Sequence, residues 1–234
     1  MKLPNVYDWD RIRSALQDLS EKFPESFPVW FLVGGGACWF YRRSLERAND
    51  PDFRVPPYTA EQESVWLSKD LDFMGLSRSE AETLLGAPVK EETRTITFEG
   101  LELDFIEEGV RMTEASTAST SRLVHATGFD FYVADAAVLY DEKCALLAIK
   151  DRPQDRLHHE VLAEFLKYEF CHEVEQPDLL DVRDWLKRAR IVKTATHSFF
   201  EDDPRLLRRL RTAVSRLDPT HKAILHWAKH HLPG

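Results

Sequence analysis

The sequence predicts an α+β fold, in which a small mixed sheet with helices is followed by an all-helical C-terminal part. Up to residue 133, short apolar or alternating segments are separated by glycines and prolines, which is typical of strands and turns. From residue 134 onward, apolar residues recur at helical spacing, and prolines stand near the expected helix starts. We therefore predict a catalytic-type α/β domain over 1–133 and a helical domain over 134–234.

Each predicted element has its own local signal. Apolar or alternating runs predict strands, and Glu99-Gly100 suits the turn of a hairpin. Ser77 and Glu80 have the spacing of a capping box, and Gly86 suits the end of the same helix. The predicted strands are 29–33, 70–75 and 129–133, with a hairpin over 93–107, and 49–63 and 108–121 are predicted loops. The predicted helices are 8–23, 37–48, 77–86, 134–150, 156–173, 178–193, 204–216 and 220–231.

Composition favours a cytoplasmic protein without a membrane segment. The 234 residues include no apolar stretch of about 20 residues, the length that spans a bilayer. The N-terminal sequence MKLPNVYDWD lacks the features of a signal peptide. Three cysteines without a CxxC motif fit a reducing compartment.

Charge is distributed unevenly along the chain. The net charge is −9, yet residues 183–234 carry 12 Lys and Arg against 5 Asp and Glu. This basic C-terminal segment is either a solvated helical face or a surface that holds a polyanion, such as RNA, near a site in the first half.

Two aspartates in the segment SKDLDFMG (68–75) are the first candidate site residues. On a strand, residues two apart project from the same face, so Asp70 and Asp72 stand side by side. Like charges this close raise each other's pKa, and a divalent cation removes that repulsion. Mg²⁺ is commonly held by one or two carboxylates together with substrate phosphates. The alternative is a pair of solvated aspartates on an edge strand.

Asp104, in LELDFIE, is a third carboxylate on a predicted strand. If this strand pairs beside the one that carries Asp72, the three carboxylates can meet. Three carboxylates can hold two metal ions about 3.5–4 Å apart, as two-metal phosphoryl-transfer sites require. One ion then activates the attacking oxygen, and the other stabilises the leaving pyrophosphate.

The segment FLVGGGACWFY places a glycine triplet between a predicted strand and a predicted helix. Backbone N–H groups at a helix start attract phosphate oxygens, and glycines leave them accessible. The triplet has neither the GK[ST] of a Walker A loop nor the GxGxxG pattern, and a simple tight turn is the alternative.

Together, these features resemble the nucleotidyltransferase superfamily of the DNA polymerase β type. More narrowly, VGGGA followed by SKDLDF is similar to the AbiEii-type nucleotidyltransferases, toxins of toxin–antitoxin and abortive-infection systems. The segment LYDEKCALLAIKDRPQDR (139–156) is similar to a later helix of that group, although its ending differs from RDxxDL. The resemblance covers residues 30–156. Gly35 and Asp70 are farther apart than in the family, because the Pro-rich segment 49–63 is inserted between them.

The resemblance implies a role for each matching residue. Asp70 and Asp72 bind both of two Mg²⁺ ions, which Mn²⁺ can replace. Asp104 binds the catalytic ion and helps to deprotonate the acceptor hydroxyl. Lys143 pairs with the triphosphate, with Lys150 as a rival. The remaining nucleotide-binding residues are Gly34 and Gly35 on the phosphates, Ser68 and Lys69 beside the site, and Asp155, which orients Lys143, the nucleotide or the acceptor.

The implied function is metal-dependent transfer of a nucleoside monophosphate from an NTP to a hydroxyl of RNA, protein or a small molecule. Two alternatives remain open. One is a non-catalytic nucleotide- or partner-binding module on the same fold. The other is the toxin component of a toxin–antitoxin pair, with an antitoxin as partner.

Overall fold

A computed structural model describes residues 9–25, 30–66, 70–126 and 128–232. These residues form one six-stranded sheet and ten helices, so the predicted α+β fold with a helical C-terminal part is confirmed. The strands are β1 (Phe31–Leu32), β2 (Leu71–Met74), β3 (Ile96–Phe98), β4 (Leu101–Phe105), β5 (Arg122–Ala126) and β6 (Phe129–Val133). The helices are α1 (Trp9–Lys22), α2 (Gly34–Ala48), α3 (Ala60–Trp66), α4 (Arg78–Leu85), α5 (Glu114–Ala118), α6 (Ala136–Ile149), α7 (Pro153–Glu175), α8 (Val182–Ala195), α9 (Pro204–Val214) and α10 (Lys222–His231).

The sheet is mixed, with strand order β3-β4-β2-β1-β6-β5. Strand β2 runs parallel to β4 and antiparallel to β1, and β1 runs parallel to β6. Aromatic side chains cover the apolar face of β2 and β4. The Trp30 ring packs edge-on against Phe73 and Phe105, at centroid distances of 5.6 and 5.3 Å. Because strand residues alternate between faces, Asp72 and Asp104 point to the opposite side of the sheet.

The two most local predictions are confirmed in detail. Ser77 caps α4 through a capping box with Glu80, and Gly86 ends the helix in the left-handed conformation. Strands β3 and β4 form a hairpin in which Glu99 and Gly100 both have positive φ, at 50° and 79°. A two-residue hairpin loop whose backbone twist matches the right-handed twist of the strands requires positive φ at both of its residues.

Several predicted boundaries were wrong. Helix α2 begins at Gly34 rather than after the glycines. The predicted loop 49–63 includes the start of the short helix α3, and the predicted loop 108–121 contains the short helix α5. Strand β5 was not predicted, because its side chains are half-buried or exposed and show no apolar alternation. Its main-chain partners come from β6.

The C-terminal helices pack directly on the first part of the chain. Helix α7 lies against α2, and Tyr41 Oη donates a 2.7 Å hydrogen bond to the Ala134 carbonyl. Buried apolar residues of both parts belong to one continuous core. The domain boundary between residues 133 and 134 stays a prediction. None of the described helices has the length and apolarity of a bilayer-spanning segment.

Ion pairs use several cations of the basic C-terminal segment. The buried Arg188 donates to Glu169 at 2.7 Å and to Glu173 at 2.5 Å. Arg209 pairs with Asp50 and Glu175, each at 2.6 Å. These arginines therefore hold the fold together rather than offering free charge to a polyanion.

Candidate active site

Asp72 and Asp104 occupy paired positions on the adjacent parallel strands β2 and β4. Neighbouring strands lie about 4.8 Å apart, so the two side chains emerge side by side on the same face. Asp70 directly precedes β2 and is half-buried. The three predicted carboxylates therefore lie at one place on the sheet, as the alternation of the sequence predicted, while their role as metal ligands stays a prediction.

The N-terminus of α2 points at Asp72. The Gly35 N–H donates to Asp72 Oδ2 at 3.3 Å. Gly34 has φ +56°, and a Cβ atom there would lie 1.8 Å from Asp72 Oδ2. Only glycine permits this close approach together with a left-handed backbone. The glycine triplet is thus more than a turn, because it brings backbone N–H groups and the partial positive charge of a helix to the carboxylates.

The surroundings of Asp72 change its proton affinity. Burial, followed by the negative charges of Asp70 and Asp104, raises the pKa of Asp72 to about 7, although Lys143 and the Gly35 N–H act in the opposite direction. A carboxylate that resists ionisation beside two others is a site that favours an added cation.

Asp104 has a basic partner that the sequence did not indicate. Arg78, the first residue of α4, donates from Nη2 to Asp104 Oδ1 at 3.0 Å. Across the described part of the chain, no three His, Cys, Asp or Glu side chains are grouped as a metal ion would require. The carboxylate of Asp104 is therefore paired with Arg78 in this structure.

Lys143, on α6, lies in a buried ion pair next to the carboxylates. Its Nζ donates to Asp155 Oδ1 at 2.6 Å, and Arg152 Nε donates to Asp155 Oδ2 at 2.5 Å. Burial alone would raise the pKa of Asp155, but hydrogen bonds and charge from Lys143 and Arg152 outweigh it and lower the pKa. The expected orientation of Lys143 by Asp155 matches this contact. The rival Lys150 is exposed and stands after the end of α6.

Ser68 and Lys69, the remaining predicted nucleotide-binding residues, lie outside the described residues. The Pro-rich segment that precedes them in the chain is anchored on the C-terminal helices. Phe53 is buried, and Arg205 Nη1 donates to the Asp52 carbonyl at 2.9 Å. Arg205 and Arg209 both lie 5.6 Å from the centre of the Phe53 ring.

Sequence reasoning missed Glu142, the neighbour of Lys143. Its carboxylate accepts backbone N–H groups of Val110, Arg111 and Met112 at 2.8, 2.6 and 2.9 Å. Glu142 therefore ties the segment that follows β4, and with it Asp104, to the helix that carries Lys143. The available signal was a glutamate within a largely apolar helical segment. The sequence could not indicate its partners, because they lie about 30 residues earlier in the chain.

We expect Glu142→Gln to lower the free energy of unfolding by about 1–3 kcal/mol, because the amide removes a charged acceptor from three N–H donors. Denaturant unfolding followed by circular dichroism measures this change. Asp141→Asn is the matched control, since burial already raises the pKa of Asp141 and loss of its charge should cost little. Equal stabilities of the two variants would refute the anchoring role of Glu142.

His158 is a second buried group, to which the sequence assigned no role at the site. Burial and then the charge of Lys143 lower its pKa to about 3, so its ring is neutral at pH 7. Its ring packs on Trp66 at 4.8 Å, and its Nδ1 has no hydrogen-bond partner among the described residues. This neutral ring therefore lies close enough to the Lys143–Asp155 pair to feel its charges.

No protein-family model matches the sequence, and no curated protein matches it either. The relation to nucleotidyltransferases therefore stays a prediction, and the features that bear on an activity are the carboxylates, the helix N-terminus and the buried lysine.

Proposed function

We propose that the chain is a metal-dependent nucleotidyltransferase, which transfers a nucleoside monophosphate from an NTP to a hydroxyl acceptor and releases pyrophosphate. RNA, a protein side chain or a small molecule is the acceptor in this proposal, and an antitoxin partner belongs to it only if the chain acts as a toxin. The observation that supports it most strongly is the pairing of Asp72 with Asp104 directly in front of the N-terminus of α2.

The donor set suits a divalent metal ion. Hard ions such as Mg²⁺ and Mn²⁺ prefer carboxylate oxygens, and the crowded carboxylate of Asp72 has the raised pKa expected of a site that lacks a counter-charge. Asp70, Asp72 and Asp104 would hold the metal once Asp104 leaves Arg78. When bound, the metal neutralises phosphate charge and increases the acidity of a bound hydroxyl.

The other residues bind and orient the nucleotide in this proposal. Backbone N–H groups of Gly34 and Gly35 donate to phosphate oxygens at the start of α2. Lys143 supplies positive charge to the triphosphate, and Asp155 keeps its ammonium group in place through their 2.6 Å contact. Asp104 accepts the proton of the acceptor hydroxyl.

The direct test is an incubation with each of the four α-labelled NTPs, Mg²⁺ or Mn²⁺, and total cellular RNA or protein. Transfer of label to one pool, with an equal amount of pyrophosphate released, would support the proposal and identify the acceptor class. Absence of pyrophosphate release with every NTP and both metals would contradict it.

A non-catalytic nucleotide-binding module is the second candidate. The contact of Arg78 with Asp104, and that of the Gly35 N–H with Asp72, satisfy two carboxylates without a metal ion, which favours this alternative. NTP binding that is independent of metal and unaccompanied by pyrophosphate release would distinguish the module from the enzyme.

Metal should stabilise the protein more at high pH than at low pH. Because the pKa of Asp72 is raised, its contribution to stability is complete below about pH 4 and is lost as pH rises through about 7. A metal ion replaces the proton, so we expect Mn²⁺ to raise Tm by about 4–8 °C at pH 8, equivalent to about 2 kcal/mol, and by much less at pH 5.5.

Differential scanning fluorimetry with and without Mn²⁺ measures this difference. Asp72→Asn is the control, and it should be more stable than the unmodified protein above pH 7 in the absence of metal. A shift that is the same at both pH values, or that persists in Asp72→Asn, would argue against metal binding at this carboxylate.

A further inference from the structure

A second cleft lies between α8 and α10, away from the carboxylates of the sheet, with a volume of about 800 Å³. Arg190 and Lys193 from α8, together with His197, line one side of it. His226 and His230 on α10 are one helical turn apart, with ring centroids 4.5 Å from each other, and they line the other side with His231.

The charge of this cleft contrasts with the rest of the molecule. The chain contains 40 Asp and Glu, yet none of the described residues that line the cleft is acidic. Other arginines of the C-terminal helices, such as Arg188 and Arg209, are paired with carboxylates. Within the described residues, Arg190 and Lys193 form no ion pair with a carboxylate, and Lys193 Nζ instead lies 2.9 Å from His231 Nδ1.

Helix ends explain only part of this pattern. Lys193 and His231 lie in the last turns of their helices, where positive charge is favourable. That effect does not account for Arg190, which lies nearer the middle of α8. Because residues three apart share a helix face, Arg190 and Lys193 direct two positive charges into the same volume.

The floor of the cleft is apolar and rigid. Trp227 lies on it, with its ring held edge-on against Trp185 at 4.7 Å and Phe200 at 4.9 Å. Leu186 and Ala223 extend the apolar surface. A ligand that fits the cleft therefore needs an anionic group next to Arg190 and Lys193 and a flat apolar group next to Trp227.

We propose that this cleft binds phosphate monoesters that carry an aromatic body, a class that includes nucleoside monophosphates. A phosphate dianion matches the combined charge of Arg190 and Lys193, and the guanidinium can donate two parallel hydrogen bonds to it. The aromatic body then lies on the Trp227 side of the cleft.

Isothermal titration calorimetry of the full chain with phenyl phosphate tests this site. The titration is done at pH 7.5, with EDTA present so that no metal ion held by histidines can mediate binding. A ligand of this size with a typical binding efficiency has a Kd of about 1 mM or slightly tighter. Inorganic phosphate should bind several-fold more weakly than phenyl phosphate, and phenol should show no saturable binding.

Two variants separate the two halves of the site. Arg190→Ala/Lys193→Ala should weaken phenyl phosphate binding by about tenfold or more, because two charged hydrogen-bond donors are lost. Ala223→Trp should fill the floor and reduce the affinity for phenyl phosphate to that for inorganic phosphate. Lys222→Ala removes an exposed lysine of α10 outside the cleft and is the matched control, with no expected change.

Asp72→Asn should bind phenyl phosphate as the unmodified protein does, which separates this site from the proposed nucleotidyltransferase site. The proposal is overturned if phenyl phosphate does not saturate the protein, if Arg190→Ala/Lys193→Ala binds it with unchanged affinity, or if Asp72→Asn abolishes binding. Unfolding midpoints of every variant, measured in parallel, exclude loss of folding as the cause.

Discussion

Asp72→Asn is expected to lower the rate of pyrophosphate release by about a thousandfold or more, with NTP still bound. Asp72 is the carboxylate between Asp70 and Asp104 that accepts the Gly35 N–H. The amide keeps the shape of the side chain but removes the charge that would hold a divalent ion, and losses of this size are typical when electrostatic stabilisation of a transition state is removed. Rates of pyrophosphate release under saturating NTP measure the effect.

The matched control is Asp130→Asn, the same chemical change on β6 of the same sheet. Asp130 is exposed and contacts only His125 among the hydrogen bonds described for its side chain. We expect its rate to stay within about twofold of the unmodified protein, since surface ion pairs contribute little. A rate for Asp72→Asn comparable with that of Asp130→Asn would exclude Asp72 from the reaction.

Gly34→Ala is expected to destabilise the protein by about 2–4 kcal/mol and to impair the proposed activity as well. A left-handed backbone at φ +56° costs an alanine about 1–2 kcal/mol, and its Cβ would lie 1.8 Å from Asp72 Oδ2. The Asp72 side chain must move away, so the carboxylates and the N-terminus of α2 lose their alignment. The Tm should fall by about 5–10 °C.

Gly86→Ala separates the two contributions to this loss. Gly86 has a similar φ of +65°, but a Cβ atom there meets nothing within 4 Å. Its substitution should therefore cost only the backbone strain, about 1–2 kcal/mol, with the proposed activity unchanged. If the two variants lose the same stability, the close contact between Gly34 and Asp72 is unimportant.

The features that the sequence predicted correctly depend on residues close together along the chain. The capping box needs Ser77 and Glu80 three residues apart, and the hairpin turn needs two residues that accept positive φ. Helices after residue 134 followed from apolar periodicity and proline positions. Strand β5 escaped this reasoning because it is an edge strand whose stability comes from pairing with β6 rather than from an apolar pattern of its own.

For the candidate site, alternation along two strands predicted that Asp72 and Asp104 each project from an apolar segment, and that they meet on one face if the two strands pair side by side. That inference uses the alternation of side chains between the two faces of a strand, which is a local property of extended backbone. The resemblance to nucleotidyltransferases further implied that a glycine-rich helix start lies near them, and that Asp155 orients Lys143, the nucleotide or the acceptor.

Folding in three dimensions settled the remaining contacts, because each joins residues that are far apart in the chain. The parallel register that sets Asp72 beside Asp104, the salt bridge of Arg78 with Asp104, and the N–H donors of Glu142 all arise from how separate elements pack. Burial in turn raises the pKa of Asp72, since desolvation depends on the whole surrounding volume rather than on neighbours in sequence.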